Sequence, residues 1–176
     1  MHRLAVLLAC AACSTPSEQS PDASQSGDAA GPDGGQLPAF TVINKFGHDL
    51  IRSVTVHKNG GEDRIVYAEA SRIAQYPSSG VLPDATRLIL EVTGGGCFVI
   101  EKTAGTWAYG QFSCNANPAP LTTAPNAGCS GCHLGAREPG VWTAGSLRRL
   151  VATHVAEEID CPRGPGPTPC DPDVYD

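Results

Sequence analysis

Two cysteines three positions apart, followed at once by a histidine, constrain this 176-residue chain more than any other feature. They stand at Cys129-Ser130-Gly131-Cys132-His133. Two thiols at this spacing can add to the two vinyl groups of one porphyrin, and the adjacent imidazole then reaches the iron as its proximal ligand. The motif therefore predicts one covalent haem c per chain, held by Cys129 and Cys132, with His133 on the iron.

Two other chemistries use cysteines at this spacing, namely a redox disulfide and half of a zinc site. A closed zinc site needs a second compact pair of ligands. The cysteines outside the N-terminus are scattered instead, at Cys97, Cys114, Cys161 and Cys170. A structural disulfide between Cys129 and Cys132 is therefore the main alternative to haem.

The N-terminus is typical of export from a bacterial cell. Residues 1–3 are basic, residues 4–9 are apolar, and small residues precede both Cys10 and Cys13, as in a lipoprotein signal. We expect residues 1–12 to be this signal and the mature protein to be a membrane-anchored lipoprotein, periplasmic or on the cell surface. An ordinary cleaved secretory signal and a buried N-terminal strand are the alternatives.

The lipid-bearing residue is Cys13 or Cys10. Leu7-Leu8-Ala9 before Cys10 is the better match to a lipoprotein cleavage site, whereas Cys13 leaves a longer apolar stretch. The cysteine count favours Cys13, because seven cysteines then remain: one for lipid, two for haem and four for two disulfides.

Composition divides the rest of the chain into three parts. Residues 13–38 are small and polar apart from Leu37, which predicts a disordered tether. Residues 39–160 are the length of one domain, and residues 161–176 form a tail rich in proline and cysteine.

The formal charge of -6 argues against nucleic acid as a partner, and no other segment has the ~18 apolar residues of a transmembrane helix. We expect membrane contact through the lipid anchor only.

The domain is expected to be α+β, mostly antiparallel β. Strands are predicted at residues 51–58 and 86–93, and a hairpin at 97–102 and 106–114. A short helix is predicted from Glu62 to Gln75, and a C-terminal helix is predicted to be capped by Thr143 or Ser146. The haem motif is predicted to lie in a loop between the β-rich region and that last helix. The buried stripe of the C-terminal helix is expected to contain Leu147, Leu150, Val151, His154 and Val155.

The remaining four cysteines suggest two disulfides. The predicted hairpin brings Cys97 and Cys114 together at its open end, within the distance such a bond needs. Cys161 and Cys170 are expected to pair and to pin the proline-rich tail.

Methionine limits the iron chemistry, because Met1 is the only one in the chain. A His/Met pair of axial ligands is therefore excluded. The sixth position is vacant, holds water, or takes His48, His57, His154 or a lysine. We expect a vacant or weakly occupied iron, since a lone histidine on an apolar face is usually a hydrogen-bonded core residue.

The layout resembles the cytochrome P-460 and cytochrome c-prime-beta family over residues 52–151. The matching segments are Arg52-Ser53-Val54-Thr55-Val56, Val81-Leu82-Pro83-Asp84-Ala85-Thr86, Leu90-Glu91, Gly105-Thr106-Trp107-Ala108-Tyr109-Gly110 and residues 129–143. This resemblance implies an antiparallel β protein with five-coordinate haem c, which either oxidises hydroxylamine or binds gases.

In the oxidisers a lysine before a glutamate cross-links to the porphyrin, and the matching position here is Leu90. Lys58 and Lys102 lie in other predicted strands, so the resemblance implies no cross-link.

Gly140 stands where family members often carry an acidic residue, and Glu138 is a weak candidate for proton transfer. The resemblance also implies an apolar sheet face over the distal side of the iron. Candidates to line it are Phe98, Phe112, Trp107 and Tyr109, and the alternative for each is ordinary sheet core.

These observations favour an exported c-type haem protein that transfers electrons or binds a diatomic gas such as nitric oxide, with a redox protein or that gas as partner. It is expected to be a binding or electron-transfer protein rather than an enzyme. One alternative is an oxidoreductase acting on hydroxylamine-like nitrogen compounds. Another is a haem-free, disulfide-stapled surface lipoprotein.

Overall fold

A computed structural model describes residues 37–136, 138, 140–166 and 168–175. The predicted signal segment, both candidate lipidation sites and nearly all of the predicted tether therefore lie outside the described residues. No helix in the described part is long and apolar enough to cross a membrane.

The described residues form one sheet with short helices. The strands are β1 (Val42–Lys45), β2 (His48–Lys58), β3 (Glu62–Glu69), β4 (Arg87–Val92), β5 (Cys97–Thr103), β6 (Thr106–Phe112) and β7 (Glu157–Cys161). The helices are α1 (Ala127–His133) and α2 (Ala144–Thr153), and 3-10 turns span Ala70–Gln75 and Pro172–Tyr175. Strands β1 to β6 follow one another across the sheet as antiparallel neighbours. The prediction of a single, mostly antiparallel β-rich domain is confirmed.

Strand β2 is long enough to serve two partners on one edge. Its first half pairs with β1, and residues Val54 to Lys58 pair in parallel with β7. A bulge between Arg52 and Val54 interrupts the alternation of side chains, so that Ile51 and Val54 pack in the same core cluster. Strand β7 crosses the predicted boundary at residue 160.

The predicted helix from Glu62 to Gln75 is wrong for its first eight residues, which form β3. This segment pairs with β2 on one side and β4 on the other, so its backbone groups are satisfied within the sheet. Ile65, Val66 and Tyr67 are β-branched or aromatic and suit a strand. Only Ala70–Gln75 is helical, as a 3-10 turn.

The predicted hairpin and both predicted disulfides are confirmed. Ala104 and Gly105 form a two-residue turn with positive φ at both positions, as the twist of the hairpin requires. The Cα atoms of Cys97 and Cys114 are 5.2 Å apart, and those of Cys161 and Cys170 are 5.9 Å apart, in bonded pairs.

Helix α2 matches the predicted C-terminal helix but is shorter. It follows Thr143 at the N-cap position and buries Leu147 and Leu150. His154 adopts a left-handed conformation with φ 60° and ends the helix, so the stripe does not extend to Val155, which is exposed.

The sheet has two apolar faces, which we call the closed face and the site face. The closed face packs Leu50, Tyr67, Ile89 and Val99 against Phe46 and the 113–121 loop. The site face carries Val54, Val66 and Leu88 and packs against α2, the 141–144 segment and the C-terminal tail.

Candidate functional site

The Cys-x-x-Cys-His motif forms α1 instead of the predicted loop. Asn126 caps the helix: its side-chain oxygen accepts hydrogen bonds from the backbone N–H groups of Gly128 and Cys129, at 3.0 and 3.2 Å. Such a cap satisfies donors that the helix leaves free, and Pro125 lies before the helix rather than in it. Cys132 is exposed, Cys129 is half-buried, and neither is in a disulfide.

A cavity of about 510 Å³ lies between α1 and the site face of the sheet. Its lining includes all three chemical residues of the motif, Cys129, Cys132 and His133. The size falls within the range of ligand pockets, roughly 300–1,000 Å³. The motif is therefore placed at a space that can accept a large group.

The sheet wall of this cavity is apolar. One row across the sheet is formed by Val66, Leu90 and Phe98, which are aligned in β3, β4 and β5, and all three line the cavity. Leu90, the position matched to a cross-linking lysine, thus presents an aliphatic side chain there. Lys58 and Lys102 do not belong to the described lining; their ammonium groups donate to Gly166 and Leu82 carbonyls at 2.7 and 2.8 Å.

The orientation of His133 is set by the turn that follows it. Its Nδ1 lies 2.9 Å from the Gly140 carbonyl oxygen, and a carbonyl can only accept, so Nδ1 carries the proton. Nε2 is left with its lone pair, which is the arrangement of a metal-ligating imidazole. Burial lowers the pKa of His133, which favours the neutral ring that a metal needs. The His133 ring also meets Tyr109 edge to face, with centroids 5.1 Å apart.

Gly140 is shaped for this role. Its φ is +100°, and a Cβ at this position would overlap the indole ring of Trp107. Its N–H donates to the His133 carbonyl at 3.1 Å, so the two residues are joined by two hydrogen bonds. Trp107 therefore supports the turn between His133 and Gly140 and is not part of the described cavity lining.

The four aromatic candidates on the hairpin divide between the two faces. Phe98 and Tyr109 line the cavity. Phe112 packs on the closed face, where its ring meets Phe46 edge to face at 5.3 Å.

The three candidate histidines for the sixth iron position lie elsewhere. His48 donates to the Ala119 carbonyl at 3.0 Å, His57 lies between Asp63 and Glu158, and His154 stacks on Phe40. None belongs to the cavity lining that the described residues form.

Glu138 makes contacts that hold neighbouring segments together. Its carboxylate accepts from the Leu82 N–H at 3.2 Å and pairs with Arg148, and it lies outside the described lining. It ties the 80–82 loop to α2.

Several lining residues were not identified from the sequence. Glu62 and Arg64 lie on the strand that was predicted as a helix, and Gly166, Pro169 and Tyr175 come from the tail. No sequence signal connects the tail to the motif. The contact depends on the pairing of β7 with β2 and on the Cys161–Cys170 disulfide.

Within the described residues, no group of three or more His, Cys, Asp and Glu side chains is arranged to hold a metal ion. No family model, curated protein or solved structure matches the chain.

Proposed function

We propose that this chain is an exported c-type haem protein that binds a small neutral diatomic such as nitric oxide. The proposal depends chiefly on one observation: Cys129, Cys132 and His133 line the same cavity as an apolar wall of the sheet. The haem, when bound, supplies the iron that takes the gas or passes an electron.

The residues present fit such a group. The two thiols are free to form thioethers, and Nε2 of His133 is free to ligate because Nδ1 is held by Gly140. A haem brings four ligands of its own, so one imidazole is the only protein ligand it requires.

Helix α1 gives the proposal further support. It has seven residues, includes two glycines and buries no side chain. A helix this short is marginal by itself. Covalent attachment to a flat apolar group in the cavity would anchor it against the sheet.

The opposite wall favours gas binding over a six-coordinate electron carrier. Leu90, Val66 and Phe98 present no donor that could ligate iron, and the candidate histidines and lysines lie elsewhere. An apolar pocket of this kind suits a neutral diatomic, because such a ligand needs no charged partner.

We also propose a lipid anchor at Cys13 or Cys10. Haem c is attached outside the bacterial cytoplasm, which requires export, and the small residues before these two cysteines are typical of a lipoprotein signal. Labelling of the exported protein with palmitate, in wild type, Cys13→Ser and Cys10→Ser, separates the two sites. Loss of label in one variant alone identifies the residue, and retention of label in both would contradict the assignment.

The test of the haem proposal uses full-length chain matured with a haem c system. Mass spectrometry should show one added haem, and the absorption spectrum should shift with nitric oxide or carbon monoxide. Cys129→Ser combined with Cys132→Ser should remove the covalent haem, and His133→Ala should change the axial-ligand spectrum. His48→Ala, a histidine away from the cavity, is the matched control and should leave the spectrum unchanged.

Other outcomes have definite meanings. A spectrum that is unaffected by gas would indicate an electron carrier with a sixth ligand. An unchanged spectrum in His133→Ala would overturn the assignment of the iron ligand. Competently matured protein that carries no haem and has lost two hydrogens beyond those of the Cys97–Cys114 and Cys161–Cys170 bonds would instead be the disulfide-stapled lipoprotein.

A further inference from the structure

The cavity is charged at one end only. Among its described lining residues, Glu62 supplies the one carboxylate and Arg64 the one guanidinium. Arg64 lies on β3, aligned with Val56 of β2 and Val92 of β4. The rest of the sheet wall is aliphatic or aromatic, so an anionic group in this cavity would find its partner at this end.

Arg64 is held in place but is not saturated. Its Nε donates to a Glu62 carboxylate oxygen at 2.9 Å, and Nη2 donates to the Gly166 carbonyl. Its Nη1 has no hydrogen-bond partner among the described residues and is not one of their buried unsatisfied atoms. A guanidinium has five N–H donors in a fork that matches a carboxylate, so donors remain for a further acceptor.

Arg64 and Lys58 adjoin one carboxylate, that of Glu62, whereas the chain as a whole has a formal charge of -6. Glu62 is already bonded to Arg64 and to the Gly166 N–H, the latter at 2.8 Å, and these bonds lower its pKa. Burial lowers the pKa of Lys58, and the nearby charges of Arg64 and Arg163 lower it further. The Lys58 ammonium lies 3.9 Å from a Glu62 oxygen, so two cations adjoin one carboxylate that is already bonded.

This end is across the cavity from the motif. Tyr109, which meets the His133 ring, is on β6, and Arg64 is three strands away on β3, or about 14 Å at the usual strand spacing. Tyr175 also lines the cavity, and its hydroxyl accepts from the Cys170 N–H at 3.4 Å.

We infer that Arg64 anchors a carboxylate of the bound porphyrin. The inference rests on the proposed haem function. A porphyrin joined to Cys129 and Cys132 through its vinyl edge directs its two propionates away from those thiols. Arg64 offers the charge and the N–H donors to receive one of them, while Glu62 and Gly166 hold the guanidinium still.

The test compares two porphyrins that differ only in these carboxylates. Full-length chain made without haem attachment is titrated with haemin and with haemin dimethyl ester in the absence of reductant, so that the Cys97–Cys114 and Cys161–Cys170 disulfides stay closed. Binding is followed by Soret absorbance. Wild type should bind haemin about tenfold or more tightly than the diester, because the ester cannot pair with the guanidinium. Arg64→Gln should abolish this preference by weakening haemin alone, and Arg64→Lys should retain part of it.

Arg52→Gln is the matched control, since Arg52 is half-exposed and pairs with Glu158 at 3.0 Å on the β2 to β7 side of the sheet. It should keep the full preference. A purely structural role for Arg64 predicts equal losses for haemin and diester, and that result would overturn the inference while leaving the haem proposal intact. The wild-type comparison needs no variant, so equal affinities there would also overturn it. Binding of neither porphyrin by folded chain would instead overturn the haem proposal itself.

Discussion

The two faces of the sheet bury similar side chains and leave different amounts of space. On the closed face, Leu50, Ile89 and Val99 are almost fully buried, and aromatic rings fill the space between them and the 113–121 loop. On the site face, Leu90 and Phe98 are only half-buried because they border the cavity. The elements opposite them contribute small residues, Gly128, Cys129, Gly166 and Pro169, and place larger side chains only at Val141, Trp142, His133 and Tyr175. The comparison shows that the cavity arises from what covers the sheet, not from the sheet itself.

A matched pair of leucines should expose this difference most strongly. Leu50→Ala opens a void in a filled core and should lower the free energy of unfolding by about 3 kcal/mol or more. Leu90→Ala enlarges a space that already exists, and we expect a loss of about 1 kcal/mol. Urea unfolding of both variants measures the two losses. Equal losses would mean that the cavity wall is packed as tightly as the closed face.

The two disulfides provide a second test, because one lies at each face. They enclose chain separations of 17 and 9 residues, for which loop-closure entropy gives about 3 and about 2.6 kcal/mol. Replacing either pair by serine should thus cost similar stability, measured by thermal unfolding. Only loss of Cys161–Cys170 should also weaken haem binding, since it releases the tail that carries Pro169 and Tyr175. A haem defect confined to the Cys97–Cys114 variant would contradict this division.

The turn between His133 and Gly140 should be destabilised by one added methyl group. Gly140→Ala forces a side chain into the Trp107 ring at a left-handed φ, at a cost of about 2 kcal/mol. The displaced carbonyl should also release Nδ1 of His133 and shift the absorption bands of the reduced haem. Gly131→Ala in α1 is the control, because an added Cβ there meets nothing within 4 Å. Identical spectra and stabilities for the two variants would show that Gly140 does not position the imidazole.

The smallest expected effect concerns the attachment of β7 to the sheet. His57 lies 2.9 Å from both Asp63 and Glu158, and Glu158 also pairs with Arg52. These hydrogen bonds raise the pKa of His57 above its usual value of about 6.5. The charged ring therefore makes its full contribution to the free energy of unfolding below about pH 6.5. The contribution should be lost as pH rises through the folded-state pKa. Thermal unfolding of wild type and His57→Gln from pH 5.5 to 8.5 should therefore converge at the alkaline end, and a gap that widens with pH would contradict the assignment.

Prediction from the sequence succeeded where the evidence was local. The hairpin was identified because Cys97, the Ala104-Gly105 turn and Cys114 lie within one short segment, and the same is true of Cys161 and Cys170. It failed for β3, because residues 62–69 have helix-compatible spacing and only their pairing with β2 and β4 makes them a strand. Strand β7 was not predicted, since its parallel partner is about a hundred residues away in the chain.

For the candidate site, the sequence by itself determined the reactive groups and their mutual spacing, because thiol and imidazole chemistry depends on residue types a few positions apart. It also established, through the absence of any methionine but Met1, that a His/Met pair cannot form. Only the tertiary structure decided that Leu90 faces the motif, that Gly140 holds His133, and that Arg64 lies at the far end of the same cavity. Those relations depend on strand register and on which face each strand presents, and both are set by pairing between distant segments.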